Sequence, residues 1–193
     1  MIRTPFNLLC SGITNCGKTQ YILDFVWKHY NFDRILLFCP SFKYNKTYDQ
    51  HPLVTKDNFY IVPFIDLDKA LHKCVEICKG TNTLFSLDDI ANLEDVKYKC
   101  SELCNLAFSA RHYGFSVFVL TQKYNGIVKD FRDNIRMLIL FYNKDKKSRT
   151  DAFEENDIIP LEKRNNITKY LYDNKYSKLI MILEQPFNFW LYK

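Results

Sequence analysis

Eight positions near the N-terminus carry the residue types that hold a polyphosphate: Gly12, then Ile13, Thr14, Asn15 and Cys16, then Gly17, Lys18 and Thr19. The pattern is G-x-x-x-x-G-K-[ST], preceded by the apolar stretch Asn7-Leu8-Leu9-Cys10 and followed from Gln20 by a helix-compatible run. In a strand–loop–helix setting, such a loop turns successive backbone N–H groups inward as an anion-binding nest. The helix N-terminus adds its positive end. Gly12 and Gly17 permit the backbone conformations that the inward turn requires. Lys18 is placed to reach the β- and γ-phosphates, and the Thr19 hydroxyl to ligate Mg²⁺. The chain has five glycines in all, two of them at the required positions, so the match is not a by-product of glycine-rich composition. Residues 12–20 read as the binding site of a nucleoside triphosphate, with ATP and Mg²⁺ as its ligands.

Hydrolysis needs more than a cradle. Leu84-Phe85-Ser86-Leu87-Asp88-Asp89 is an apolar run ending in two carboxylates, the form of a Walker B segment. Asp88 is expected to support Mg²⁺, and Asp89, one position on, to orient and polarise the attacking water. Many such sites carry glutamate at the second position, where aspartate is one methylene shorter. A second apolar run, 115–120, ends in Thr121-Gln122, with Gln122 on the γ-phosphate side. A strand of this kind, inserted between the two Walker strands, marks the additional-strand ATPases that drive helicases and motors. Arg111 is the first candidate for a positive charge supplied to a neighbouring subunit's γ-phosphate, with Arg132 and Arg136 as rivals. His112 reads as a structural histidine at a helix end.

These groups need a scaffold. Strands are predicted at 8–10, 35–39, 83–87, 115–120 and 137–141, with a minor one at 60–62. Their near-continuous apolar runs suit parallel strands buried on both faces. Helices are predicted from Gly17 to about Tyr30, at 67–78 between Asp66 and Gly80, at 95–112 before Gly114, near 148–155, and at 161–172. The stretch 41–58 is polar and tyrosine-rich, irregular or briefly helical. Segments 178–183 and 189–192, separated by Gln185-Pro186, form a closing hairpin at a sheet edge. The expectation is one α/β domain over 1–193, a three-layer α/β/α sandwich with a mainly parallel sheet of the P-loop, additional-strand type.

With 47% hydrophobic and 16% aromatic residues, 193 residues can bury a substantial core, and no apolar run approaches the length of a membrane span. The first six residues lead straight into the first strand, so no signal peptide is expected and the protein is expected to be soluble and intracellular. Net charge is +5, compatible with a polyanionic partner without requiring one. Seven cysteines, several at helix or strand interiors, suit a reducing compartment. Cys74/Cys78 and Cys100/Cys104 are each spaced i, i+4 on predicted helices. Buried thiols are the preferred reading over a zinc site, which favours knuckles on turns. Cys16, at a helix N-terminus, is expected to be acidified and redox-sensitive.

Taken together, Ser11-Gly12-Ile13-Thr14-Asn15-Cys16-Gly17-Lys18-Thr19, the Leu87-Asp88-Asp89 ending, Ser109-Ala110-Arg111-His112-Tyr113-Gly114 and Val117-Phe118-Val119-Leu120-Thr121-Gln122-Lys123-Tyr124-Asn125 resemble the poxvirus-type DNA-packaging ATPases. These belong to the FtsK/HerA superfamily of ring-shaped DNA pumps, which includes virophage and self-synthesising transposon relatives. The resemblance covers roughly 6–142; residues 143–193 are a helical and hairpin extension without a matched role. It implies a self-associating ring with double-stranded DNA threaded through it and active sites shared between subunits. Arg111 would then act in trans. Capsid or other virion-assembly proteins are implied as partners, and the host cytoplasm or nucleus as the place of assembly. A grip on DNA needs basic side chains on loops, with tyrosines that could stack if the strand is single. The candidates are Lys123, Tyr124, Lys129 and Arg132, or Lys43, Tyr44, Lys46 and Tyr48. A small nucleotide or nucleoside kinase and a nucleotide-switched assembly protein are the alternative functions.

Overall fold

The computed structural model describes residues 2–90 and 101–193. Their eight strands, β1 (Asn7–Ser11), β2 (Arg34–Phe38), β3 (Phe59–Ile61), β4 (Thr83–Asp88), β5 (Phe115–Thr121), β6 (Met137–Phe141), β7 (Lys178–Ile182) and β8 (Asn188–Tyr192), form one sheet. The spatial order is β3-β2-β4-β5-β1-β6-β7-β8. The first six run parallel, and β7 and β8 close one edge antiparallel, as the hairpin reading anticipates. The connecting helices are α1 (Lys18–His29), α2 (Lys46–Asp49), α3 (Leu67–Cys78), α4 (Ser101–Tyr113), α5 (Lys129–Asp133), α6 (Lys146–Glu155) and α7 (Leu161–Asp173).

The apolar strands split their side chains between two cores by strict alternation. Leu8, Cys10, Ile35, Leu37, Leu84, Phe118 and Ile139 meet α1 through Ile22, Leu23 and Val26. Leu9, Leu36, Phe38, Phe85, Leu87, Val117, Val119 and Leu138 meet α3, α4, α6 and α7 on the other face. Helices on both faces exclude water from the sheet, which is why its central strands carry almost no polar residues.

Local signals set the helix ends. The Asp66 side chain accepts from the Lys69 N–H at 3.1 Å and starts α3. Asp145 caps α6 through the Lys147 and Ser148 N–H groups, so that helix begins at Lys146, earlier than the apolar pattern alone indicates. Gly114 (φ +84) ends α4, and a Cβ there would stand 3.1 Å from the Thr81 carbonyl oxygen. The start of the helix predicted over 95–112, and Cys100 with it, lies outside the described residues. Within 41–58 the chain makes a 3₁₀ turn at Phe42–Tyr44 and then α2, capped by Asn45.

Candidate active site

Every parallel strand ends at the same edge of the sheet, so the loops after β1, β4 and β5 share one rim. Register places them side by side: Ser11 is opposite Thr121 and Asp88 opposite Leu120. The Gly12 N–H donates to the Thr121 carbonyl (3.1 Å), and the Ile13 N–H to that of Tyr142 (3.3 Å), tying the phosphate loop to both neighbours of β1. A cavity of about 680 Å³ opens at this rim, a size ordinary for a small-molecule site.

The loop reaches its shape through Asn15 (φ 61) and Gly17 (φ 88), both left-handed. Gly12 is required for space: a Cβ there would lie 2.5 Å from Phe141 Cβ and 2.9 Å from Cys16 Sγ. Of the residues assigned to the nucleotide from sequence, Thr14, Asn15, Gly17, Lys18, Thr19 and Gln20 line the cavity. Gly12, Ile13 and Cys16 stand behind them, with Gly12 and Cys16 buried. The Lys18 ammonium folds onto its own loop, donating to the carbonyls of Gly12 (2.7 Å) and Ile13 (2.9 Å).

Asp88 is the electrostatic centre. Its Oδ2 accepts from the Thr19 hydroxyl (2.9 Å) and from the Tyr48 hydroxyl (2.6 Å). Burial raises its pKa above the ordinary aspartate value, against the pull of those two hydrogen bonds and the Lys18 charge; Asp89 adds to the rise. Asp89 adopts a left-handed backbone (φ 58), a conformation uncommon outside glycine that clusters at functional sites. It aims Oδ1 at Gln122, whose Nε2 donates across a long 3.4 Å. Asp88, Asp89 and Gln122 thus lie on one wall of this cavity.

Arg111 is not brought to this cavity. It ends α4, next to the start of β5, at the opposite edge of the sheet. There it is exposed, and its side chain makes no hydrogen bond or ion pair among the described residues. Its rivals are committed elsewhere. Arg132 forks onto both Glu155 oxygens and donates to the Ile127 carbonyl. Arg136 pairs with Glu184 and the Pro5 carbonyl.

Two expectations fail. Cys16 is not acidified: its side chain is buried, and the lost hydration raises the thiol pKa more than the adjacent Lys18 charge and hydrogen bonds lower it. Tyr124 and Tyr48 cannot stack on bases, being 1% and 2% exposed. Tyr124 donates to Glu155 (2.8 Å) beneath Arg132, and Tyr48 holds Asp88. Lys123 and Lys129 are paired with Asp145 and Asp133. On α3, Cys78 is buried and accepts from Arg34, as expected of a packed thiol, whereas Cys74 and Cys104 are only partly buried.

Sequence reasoning missed Tyr48 as a partner of Asp88, and it missed two segments that line the cavity: Lys175 and Tyr176 from the turn between α7 and β7, and the stretch around α2, where Tyr44 and Lys46, expected on DNA, face the cavity with Ser41, Asn45 and Thr47. No spacing connects these to the P-loop. A tyrosine in a polar stretch gives no sign of which residue it will meet.

A glycine-bounded loop from β1 into α1, with β5 between β1 and the carboxylate-bearing β4, defines the class: this is the fold of a P-loop NTPase of the additional-strand type. The genome packaging NTPase B204 of Sulfolobus turreted icosahedral virus 2, solved with AMPPCP, has the same fold (TM-score 0.71, 14% identity, 100% of this chain and 99% of that one). So does the DNA-packaging ATPase B204 of Sulfolobus turreted icosahedral virus (TM-score 0.71, 13% identity, 97% of each chain). The pCW3 conjugation coupling protein TcpA, solved with ATPγS, matches 96% of this chain over 59% of its own (TM-score 0.59, 12% identity). The chain belongs to the Poxvirus A32 protein family, which matches residues 1–185. Comparison with curated protein sequences finds no match. The match runs well past residue 142, the limit of the motif resemblance, into the region that supplies Lys175 and Tyr176. Among the described residues, no helix is long and apolar enough to cross a membrane.

Proposed function

We propose that this protein hydrolyses ATP and couples the reaction to moving DNA into a viral capsid, as a ring whose active sites are shared between subunits. The observation that carries this reading is the separation of two parts of one hydrolytic set. Lys18, Thr19, Asp88, Asp89 and Gln122 line one cavity. Arg111 stands exposed, its side chain unpaired among the described residues, at the other edge of the same sheet. It cannot serve its own cavity and is free to serve another.

In this reading the nest of amides takes the phosphates, and Lys18 exchanges the Gly12 and Ile13 carbonyls for β- and γ-oxygens. Thr19 and Asp88 suit Mg²⁺: two oxygen donors converge there, and the carboxylate is buried with its charge only partly compensated. When bound, Mg²⁺ would neutralise charge on the phosphates. Asp89 orients the water whose oxygen bonds to the γ-phosphorus as the bridge to ADP breaks, and Gln122 fixes Asp89. Arg111 of a neighbour spreads positive charge over the γ-oxygens, an effect worth orders of magnitude in rate for such fingers. Capsid proteins and duplex DNA are the proposed partners, with single-stranded DNA the less favoured substrate because, of the three tyrosines proposed to stack, Tyr48 and Tyr124 are buried and Tyr44 alone is exposed. The site of action would be where virions assemble in the host cell.

The test is ATP turnover with and without duplex DNA. Strong stimulation supports the pump. Phosphate transfer to a small acceptor would make it a kinase, and indifference to DNA a switch. Lys18→Ala abolishes turnover. Arg111→Ala does so while still binding ATP, and mixing it with Asp89→Ala subunits partly restores activity. Full turnover by Arg111→Ala alone would reject the shared site.

A further inference from the structure

The proposed nucleotide site needs something to hold the base, and the sheet order says where to look. β5 and β4, which deliver Gln122, Asp88 and Asp89, lie on one side of β1. β6 and β7 lie on the other. Four strand spacings separate β4 from β7, about 19 Å at roughly 4.8 Å each, with the phosphate loop at the centre. A triphosphate with its terminal phosphate toward Asp88 and Gln122 therefore extends its nucleoside toward the turn before β7.

That turn presents Tyr176. Its ring borders the phosphate loop: a Cβ built on Gly17 would be 3.3 Å from Tyr176 Cδ1. Lys175 and Tyr176 line the same cavity as Gly17 and Gln20. The Tyr176 side chain is half-exposed, although its backbone is held firmly. The Tyr176 N–H donates to Asn174 Oδ1 (2.9 Å), the Ser177 N–H to the Asn174 carbonyl (2.9 Å), and the buried Lys178 ammonium to the Tyr176 carbonyl (3.2 Å). The Lys175 ammonium lies over one face of the ring, 4.6 Å from its centre, and swings aside to flank a base stacked there. A half-exposed aromatic ring on a hydrogen-bonded turn, at one end of a phosphate cradle and covered only by a flexible lysine, is the geometry of a stacking platform.

We propose that Tyr176 is the nucleobase platform of this site, with Lys175 flanking it. The proposal rests on the nucleotide-binding reading above and adds the residue that distinguishes a nucleotide from a bare polyphosphate. Base–aromatic stacking at a partly exposed site predicts a loss of about 5- to 30-fold in ATP affinity on removing the ring.

The experiment compares calorimetric binding of ATP and of inorganic tripolyphosphate, both with Mg²⁺. Tyr176→Ala is expected to weaken ATP by that factor while tripolyphosphate stays within twofold, and Tyr176→Phe to bind both like the parent chain. Tyr176→Trp adds a fluorescence signal that ATP quenches and tripolyphosphate does not. Unchanged ATP affinity in Tyr176→Ala overturns the platform, and so does equal loss of both ligands, which would mean that the ring only shapes the loop. Parent protein that binds tripolyphosphate as tightly as ATP rejects the platform and leaves the phosphate site standing. Parent protein that binds neither ligand rejects the nucleotide site itself.

Discussion

Replacing Asp88 with asparagine is expected to make the nucleotide-free protein more stable while destroying its hydrolysis. The carboxylate is buried, and its two hydroxyl donors, Thr19 and Tyr48, both reach Oδ2. An effective desolvation penalty is several kcal/mol per buried ion, and hydrogen bonds to a charged group return about 1.5–3 kcal/mol each. Burial outweighs them here, since the Asp88 pKa is raised, so keeping this carboxylate ionised costs the folded state free energy. Asparagine keeps an oxygen for both hydroxyls and removes the charge. For a chain of this size the midpoint rises by about 2–4 °C for each kcal/mol so relieved. The sign can be checked against pH. Below the unfolded aspartate pKa, both states of the parent are protonated, and the two proteins should melt together. As pH rises through the window up to the raised folded pKa, the folded parent keeps a proton that the unfolded chain has released. The parent therefore loses stability and the Asp88→Asn variant does not. Thermal melts from pH 4 to 8 without nucleotide measure this directly. A variant that is less stable than the parent at pH 8, or a difference that does not vary with pH, would refute the reasoning.

Tyr48→Phe removes a donor that lowers the Asp88 pKa, so the acidic limb of the ATPase pH profile moves to higher pH. The loss of that buried bond costs about 1–3 kcal/mol in a denaturant titration. Gly12→Ala drives a Cβ into Phe141 and Cys16, with an expected stability loss of about 1–3 kcal/mol and at least a tenfold drop in ATP affinity. Because burial raises the Cys16 thiol pKa, mild peroxide leaves ATP turnover unchanged over a period that oxidises an exposed thiol; rapid inactivation that Cys16→Ser prevents would count against it.

Much of the site was legible because its parts are contiguous in the chain. A phosphate nest is built from successive backbone amides, so its glycines, lysine and threonine must lie within eight positions, as 12–19 do. Buried parallel strands announce themselves by unbroken apolar runs, and Asp88 and Gln122 stand where two of those runs stop. The same local logic placed the caps at Asp66 and Gly114. What depends on burial was not legible, because the sign of a pKa shift is set by how many neighbours displace water. Helix position alone argued for an acidic Cys16, but packing under Gly12 reversed it.

The chain's linear order therefore determined the phosphate cradle, the alternation of strands and helices, and the polar residues at the strand ends. The tertiary structure decided who meets whom. It set Tyr48 on Asp88, buried Tyr124 under Arg132, left Arg111 bare at the far edge, and brought Tyr176 against Gly17 from near the other end of the sequence. Such pairings have no signature in local spacing, because they arise only when a sheet orders its strands differently from the chain.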